Sequence, residues 1–288
     1  MQVFVTGWDG LLGTALVPAL RRHHEVEGIG IRDGDIADAD YVVPRVREAR
    51  PDLVVHLAAM TAVDRCEAEP EEAFRVNEQG SRVVARAAHE AGAAVLGLST
   101  DYVFDGALAR PYRETDGVRP LNVYGKSKAA GETALRTYGS EWLVVRSAWL
   151  YGPGGANFVD TILGLLQERE RIPVVDDQVG SPTFTADLAG ALAALLPNRP
   201  RGIYHVANAG PASWYDLARE AARLTGADPG RIVRARTADV GRPAPRPSYS
   251  VLDCTRAEHE IGRPLRGWKE ALREFIGGPA AAKKEKGA

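Results

Sequence analysis

The chain has 288 residues, 45% hydrophobic and 26% charged, with a formal net charge of -2. That length fits one large α/β domain or two small ones. The charge gives no electrostatic reason to expect nucleic acid or an anionic membrane as a partner. The two cysteines, Cys66 and Cys254, are too far apart in sequence to suggest a disulfide framework or a zinc site, so no metal is expected.

Met1–Thr6 reads as a strand, not a signal peptide, and no run of ~18 apolar residues suggests a membrane span. A cytoplasmic protein is the plain expectation. In chain order, Val3–Thr6 is a strand, Leu11–Arg22 a helix and Val26–Ile31 a second strand. Tyr41–Arg50 is helical, Leu53–Leu57 a strand, and Ala73–Ala91 one long helical stretch containing Asn77. Ala94–Ser99 is a strand, Asn122–Tyr138 a helix and Trp142–Arg146 a strand. Strands rich in Val, Leu and Ile between helices imply βαβ units and a parallel sheet covered on both faces. The fold class is therefore α/β, a doubly wound, Rossmann-like parallel sheet with a smaller C-terminal substrate lobe.

After Tyr151 the regularity breaks. Gly152–Gly155 is a turn, Phe158–Glu168 a helix, Ile203–Val206 a strand, and the proline-rich Pro243–Pro247 a loop. We assign residues 1–150 to a dinucleotide-binding domain, with return segments near 187–207. Residues 151–278 form mainly the substrate lobe, and 279–288 a disordered tail.

Gly7, Gly10 and Gly13 follow the first strand and open the first helix. Glycines there allow a tight turn and close approach of a pyrophosphate, and the helix start offers free N–H groups. Asp9, Leu11 and Leu12 complete the loop. The spacing differs from the Gly-x-Gly-x-x-Gly of many dehydrogenases, but the strand–loop–helix context is the one a dinucleotide site needs. At the second strand's end an acid would hold a ribose 2′-hydroxyl and an arginine would accommodate a 2′-phosphate. Arg32 precedes Asp33 there, which leans the choice to NADPH and leaves NADH open. Asp35 and Ile36 would flank the adenine.

Tyr124 and Lys128 lie four residues apart, about one helical turn, and so share a face. A phenol with a pKa of about 10 is a poor proton donor near neutrality, and a neighbouring ammonium would lower that value. The pair suits proton transfer to a substrate oxygen.

With Ser99–Gly106, Val63–Pro70, Pro120–Lys128, Arg146–Tyr151, Val175–Thr183 and Ser250–Asp253, these motifs resemble the extended short-chain dehydrogenase/reductase family. Within it they look like the dTDP-4-dehydrorhamnose reductases, over roughly residues 1–275. The resemblance implies an NAD(P)H-dependent oxidoreductase acting on the 4-keto group of a nucleotide-linked 6-deoxy sugar, foremost dTDP-4-dehydrorhamnose. Tyr124 would protonate the keto oxygen, Thr100 would hydrogen-bond it, and Lys128 would hold the nicotinamide ribose. Ala58, Ala59 and Thr61 would line the cofactor. Thr61, Thr100, Asp101, Tyr102 and Trp149 would border the sugar, Asn77 would order the site, and Arg246 would grip a diphosphate or be only a surface arginine. Gln178, Gly180 and Ser181 would shape the nucleotide pocket or only a turn.

Related dehydratases carry Glu where Tyr102 stands, so simple reduction is favoured over loss of water. Met60 and Tyr249 depart from the family pattern near the substrate, which leaves the exact sugar open. Two alternatives stay open: a related nucleotide-sugar reductase or epimerase, and a non-catalytic cofactor-binding subunit like the methionine adenosyltransferase β subunit. A homodimer is a further expectation.

Overall fold

A computed structural model describes residues 1–198 and 200–278; the tail expected at 279–288 lies outside them. Six parallel strands form the main sheet: β1 (Gln2–Thr6), β2 (Glu25–Ile29), β3 (Leu53–His56), β4 (Ala94–Thr100), β5 (Trp142–Ser147) and β6 (Gly202–His205). Their spatial order is β6-β5-β4-β3-β1-β2. The order reverses between β1 and β3, and ligands of doubly wound sheets bind in the crevice outside the carboxyl ends at such a point.

The core follows from period-two alternation along the strands. Val3, Val5 and Val55 join one buried cluster with Leu16 and Leu20 of α1 (Gly13–Leu20). Phe4 and Val54 face the opposite cluster, with Val42 and Val46 of α2 (Ala39–Ala49) and Val84 and Ala88 of α3 (Gly80–Glu90). Leu135 of α4 (Val123–Tyr138) completes that second layer.

The chain then forms α5 (Phe158–Glu168) and α6 (Thr185–Leu195). Leu188, Leu192 and Leu195 of α6 pack in the α1 cluster, and β6 pairs with β5. Two further clusters lie outside the sheet layers. One joins Tyr151 and Val159 to Leu217 of α7 (Trp214–Leu224) and Leu272 of α8 (Trp268–Gly277). The other joins Ile162 of α5 to Ile232.

The long helix expected over Ala73–Ala91 is broken. Pro70–Phe74 is α-helical, Arg75–Gln79 is a π-turn, and α3 starts only at Gly80. Asn77 is buried within the π-turn, and its side-chain oxygen accepts from Met60 N in the segment after β3. β2 also stops two residues short of the expected end. Gly30 and Ile31 give their N–H groups to aspartate side chains instead of to a strand neighbour.

Candidate active site

The glycine loop lies at the switch between β1 and β3. A Cβ on Gly7 would stand 2.7 Å from Ala58 N, and one on Gly13 2.4 Å from Trp8 O, so both positions need glycine to close the loop. Gly7 also has φ +73°. Gly10 differs: beyond its chain neighbours, a Cβ there would meet only Gly7 O, at 3.2 Å, and the residue faces solvent. The loop is tight inside and open outside, the cradle a diphosphate needs beside the start of α1. The residues present therefore fit a dinucleotide.

α4 carries the chemistry and is held at both ends of its first half. Asn122 caps it, its Oδ1 accepting from Gly125 N at 2.8 Å, while Glu67 accepts from Val123 N at 3.0 Å. Gly125 rests on the segment after β4, where a Cβ would stand 2.1 Å from Tyr102 O. Gly131 rests on the π-turn, where a Cβ would stand 2.4 Å from Asn77 O. Two backbone contacts thus fix the rotation of α4, which sets Tyr124 beside the carboxyl end of β4.

There Tyr124 meets Tyr102 edge-on, with ring centroids 5.8 Å apart. Tyr124 keeps part of its side chain accessible, yet protein surrounds its hydroxyl closely. Burial pushes the phenol above its ordinary pKa, against a hydrogen bond with Thr100. This corrects the expectation that Lys128 holds the phenol down. Lys128 is buried, gives its ammonium to Leu98 O at 2.7 Å, and is itself pushed down to about 8 by burial, against the Glu132 charge.

Thr100 and Asp101 follow directly from β4. Thr100 Oγ1 donates to Asp101 Oδ1 at 3.1 Å and accepts from Tyr102 N at 3.2 Å. Ser250 Oγ donates to Asp101 Oδ2 at 2.6 Å. Burial raises the Asp101 carboxyl to about 6, against the Ser250 and Thr100 bonds. The Trp149 indole N–H turns toward the same carboxyl, outside hydrogen-bonding geometry. Trp149 has φ +49°, a strained value for a non-glycine residue. Its ring stacks on Trp214 with centroids 3.6 Å apart and lies over Gly180. Trp149 is thus packed against protein at both Trp214 and Gly180.

Asn77 orders the wall after β3. It accepts from Met60 N at 2.8 Å and donates to Met60 O at 3.1 Å and to Ser127 Oγ at 2.9 Å. Ala58 and Ala59 are half-buried in this segment and Thr61 is exposed. Asp35 accepts from Ala37 N at 2.9 Å and pairs with Arg75, and Ile36 is buried beside it.

Arg246 is not the free phosphate arm expected. Its guanidinium pairs with Asp64 at 2.9 Å and donates to Ala244 O at 2.7 Å, leaving the side chain 10% exposed. Asp64 also holds Arg242 at 3.1 Å, so this one carboxylate pins the proline-rich loop. Gln178 and Ser181 serve the fold: Gln178 Nε2 donates to Thr237 Oγ1 at 2.9 Å, and Ser181 Oγ accepts from Leu252 N at 3.2 Å.

Sequence reasoning missed Asp64, Ser250 and the buried pair behind Lys128. Glu132 takes Arg146 in a bidentate pair at 2.8 and 2.7 Å and accepts from Ser99 Oγ at 2.5 Å. Asp64, Ser250 and Arg146 lie within motifs that carry the resemblance, but no spacing rule in the sequence points to their partners Arg246, Asp101 and Glu132. No helix among the described residues is long and apolar enough to cross a membrane.

Residues 1–279 match the family model described as the RmlD substrate binding domain. A protein from Streptomyces griseus named dTDP-4-dehydrorhamnose reductase is 47% identical over 277 residues, spanning 94% of this chain and 91% of its own. The crystal structure of a dTDP-4-dehydrorhamnose reductase from Clostridium acetobutylicum superposes with a TM-score of 0.92 at 39% identity, covering 96% of this chain and 98% of that one. One from Bacillus anthracis in complex with NADP gives 0.91 at 36%, covering 95% and 98%.

Proposed function

The chain belongs to the RmlD substrate binding domain family, and from that premise we propose that it reduces the 4-keto group of dTDP-4-dehydrorhamnose to give dTDP-rhamnose, using NADPH or NADH. The observation that carries this reading is the meeting of Tyr124 and Thr100 at the carboxyl end of β4, with Lys128 buried one helical turn along.

When bound, the reduced nicotinamide supplies hydride to the carbonyl carbon. Tyr124 gives its proton to the keto oxygen, a role worth typically ~10²–10⁴-fold in rate. Its phenol is raised by burial, so it stays protonated until the oxygen gains charge. Thr100 keeps the phenol oriented, and its own hydroxyl is oriented by Asp101. Lys128 presents a cation to the cofactor ribose. Gly7, Gly10 and Gly13 admit the diphosphate. Asp101, Tyr102, Thr61 and Trp149 border the sugar. Arg246 acts through Asp64, holding the loop that closes this side of the cleft.

Tyr102 in place of a carboxylate beside Thr100 and Asp101 favours reduction over elimination of water. Two free cysteines fit a reducing compartment, and the reading places the enzyme in the cytoplasm. The test follows absorbance of the reduced nicotinamide with purified protein and dTDP-4-dehydrorhamnose, and identifies the product by NMR. Oxidation matched by dTDP-rhamnose formation is the expected result. No oxidation with either cofactor, despite cofactor binding, would remove this substrate from the account.

A further inference from the structure

The carboxyl end of β2 holds an arrangement that the proton-transfer chemistry does not use. Two successive backbone N–H groups there are taken by carboxylates from different parts of the chain. Gly30 N donates to Asp33 Oδ2 at 2.7 Å. Ile31 N donates to Asp9, at 3.3 Å from Oδ1 and 3.2 Å from Oδ2. Asp9 belongs to the glycine loop, so its side chain spans from the diphosphate cradle to the strand end. Gly30 makes room for it, since a Cβ there would lie 2.5 Å from Asp9 Oδ2. Asp9 is nonetheless exposed. Its carboxylate is held on one side by Ile31 and open to solvent on the other.

Arg32 lies next in the same turn, exposed, and no hydrogen bond or ion pair among the described residues involves it. Ile31 is 86% exposed beside it. In doubly wound nucleotide folds the adenosine ribose lies at the end of the second strand, where an acid accepts from a 2′-hydroxyl and an arginine suits a 2′-phosphate. Both chemistries occur here at one strand end, with the acid contributed by the glycine loop.

We propose that Asp9 is a specificity-determining residue of the dinucleotide site, accepting from the ribose hydroxyls of NADH and opposing the 2′-phosphate of NADPH that Arg32 attracts. The inference rests on the nicotinamide-dependent reading above. Asp9 and Arg32 are opposed readers of one ribose position, and their balance sets the ratio of the two affinities. Asp33, the other acid at this strand end, is also exposed and accepts from Gly30 N through Oδ2.

The test is calorimetric titration of the full chain with NADH and with NADPH, without sugar substrate. It compares the parent with Asp9→Asn and Arg32→Ala. Asn keeps an oxygen for Ile31 N and removes only the charge, and thermal melting checks that each variant is folded. Asp9→Asn should shift the affinity ratio toward NADPH by about tenfold, as removal of a like charge beside a phosphate predicts. Arg32→Ala should shift it toward NADH. A ratio within twofold of the parent in folded Asp9→Asn would overturn the proposal and leave the reductase reading intact. If the parent bound neither dinucleotide, the proposal and the nicotinamide-dependent reading would fall together.

Discussion

Gly125 lies so close to Tyr102 that a Cβ on the glycine would stand 2.1 Å from the tyrosine carbonyl oxygen. This contact lets α4 rest directly on the backbone after β4, and it places Tyr124 within reach of Thr100. The obstructing atom is backbone, so it cannot swing aside as a side-chain end would. Gly125→Ala should push α4 outward and separate the proton donor from Thr100. A misplacement of about 1 Å can cost ~10²-fold in rate, and a loss of that size in kcat is expected. Steady-state kinetics on the folded variant checks it, and an unchanged kcat would mean that the helix relaxes without moving Tyr124.

The buried pair of Glu132 and Arg146 supports a prediction about stability. Their side chains are 5% and 1% exposed, and each satisfies the other in a two-point contact. Arg146→Met leaves a carboxylate buried beside Ser99 without its cation, a change that costs about 3–5 kcal/mol. Replacing both partners with apolar residues, as in Glu132→Leu with Arg146→Met, should recover most of that loss. Urea unfolding of the two variants and the parent measures it. A single variant within about 1 kcal/mol of the parent would mean that water reaches the site.

Lys128 gives a pH dependence with a definite sign. Burial lowers it from 10.5 in a free chain to about 8 in the folded protein. Below about 8 the ammonium is present, and above that its charge is lost. Turnover that needs the cation should therefore decline as pH rises through about 8. Stability runs the other way. From about 8 to 10.5 the unfolded chain holds the proton that the folded one has released, so this group's contribution to folding improves as pH rises through that window. A pH profile of kcat/KM at saturating cofactor checks the first statement. A plateau extending past about pH 9.5, well above the lowered value, would show that Lys128 is not the titrating group.

What could be read in the sequence was local or periodic. Alternating Val, Phe and Leu along β1, β3 and β5 marks the two faces of a covered sheet, and both core clusters follow that alternation. Tyr124 and Lys128 announce themselves by helical spacing, and Gly7, Gly10 and Gly13 by their place between strand and helix. What could not be read depends on contacts across long separations. Arg246 meets Asp64 across 182 residues, and Ser250 meets Asp101 across 149. Neither pairing has a spacing rule, so the role of Arg246 in anchoring the proline-rich loop to Asp64 was not legible. The ionisation of Tyr124 was misjudged for a related reason. Sequence shows that a lysine is near, but burial, which dominates here, is a property of the assembled site. The π-turn at Arg75–Gln79 was hidden because helical propensity does not reveal where the backbone bonds shift from four to five residues apart.

The most direct test of the central claim is single-turnover reduction of dTDP-4-dehydrorhamnose by the parent and by Tyr124→Phe, with NADPH and NADH affinities measured on both. The account predicts that the variant binds both dinucleotides as the parent does and reduces the sugar at least ~10²-fold more slowly. Near-parental reduction by Tyr124→Phe would contradict it and move the proton donor to another group.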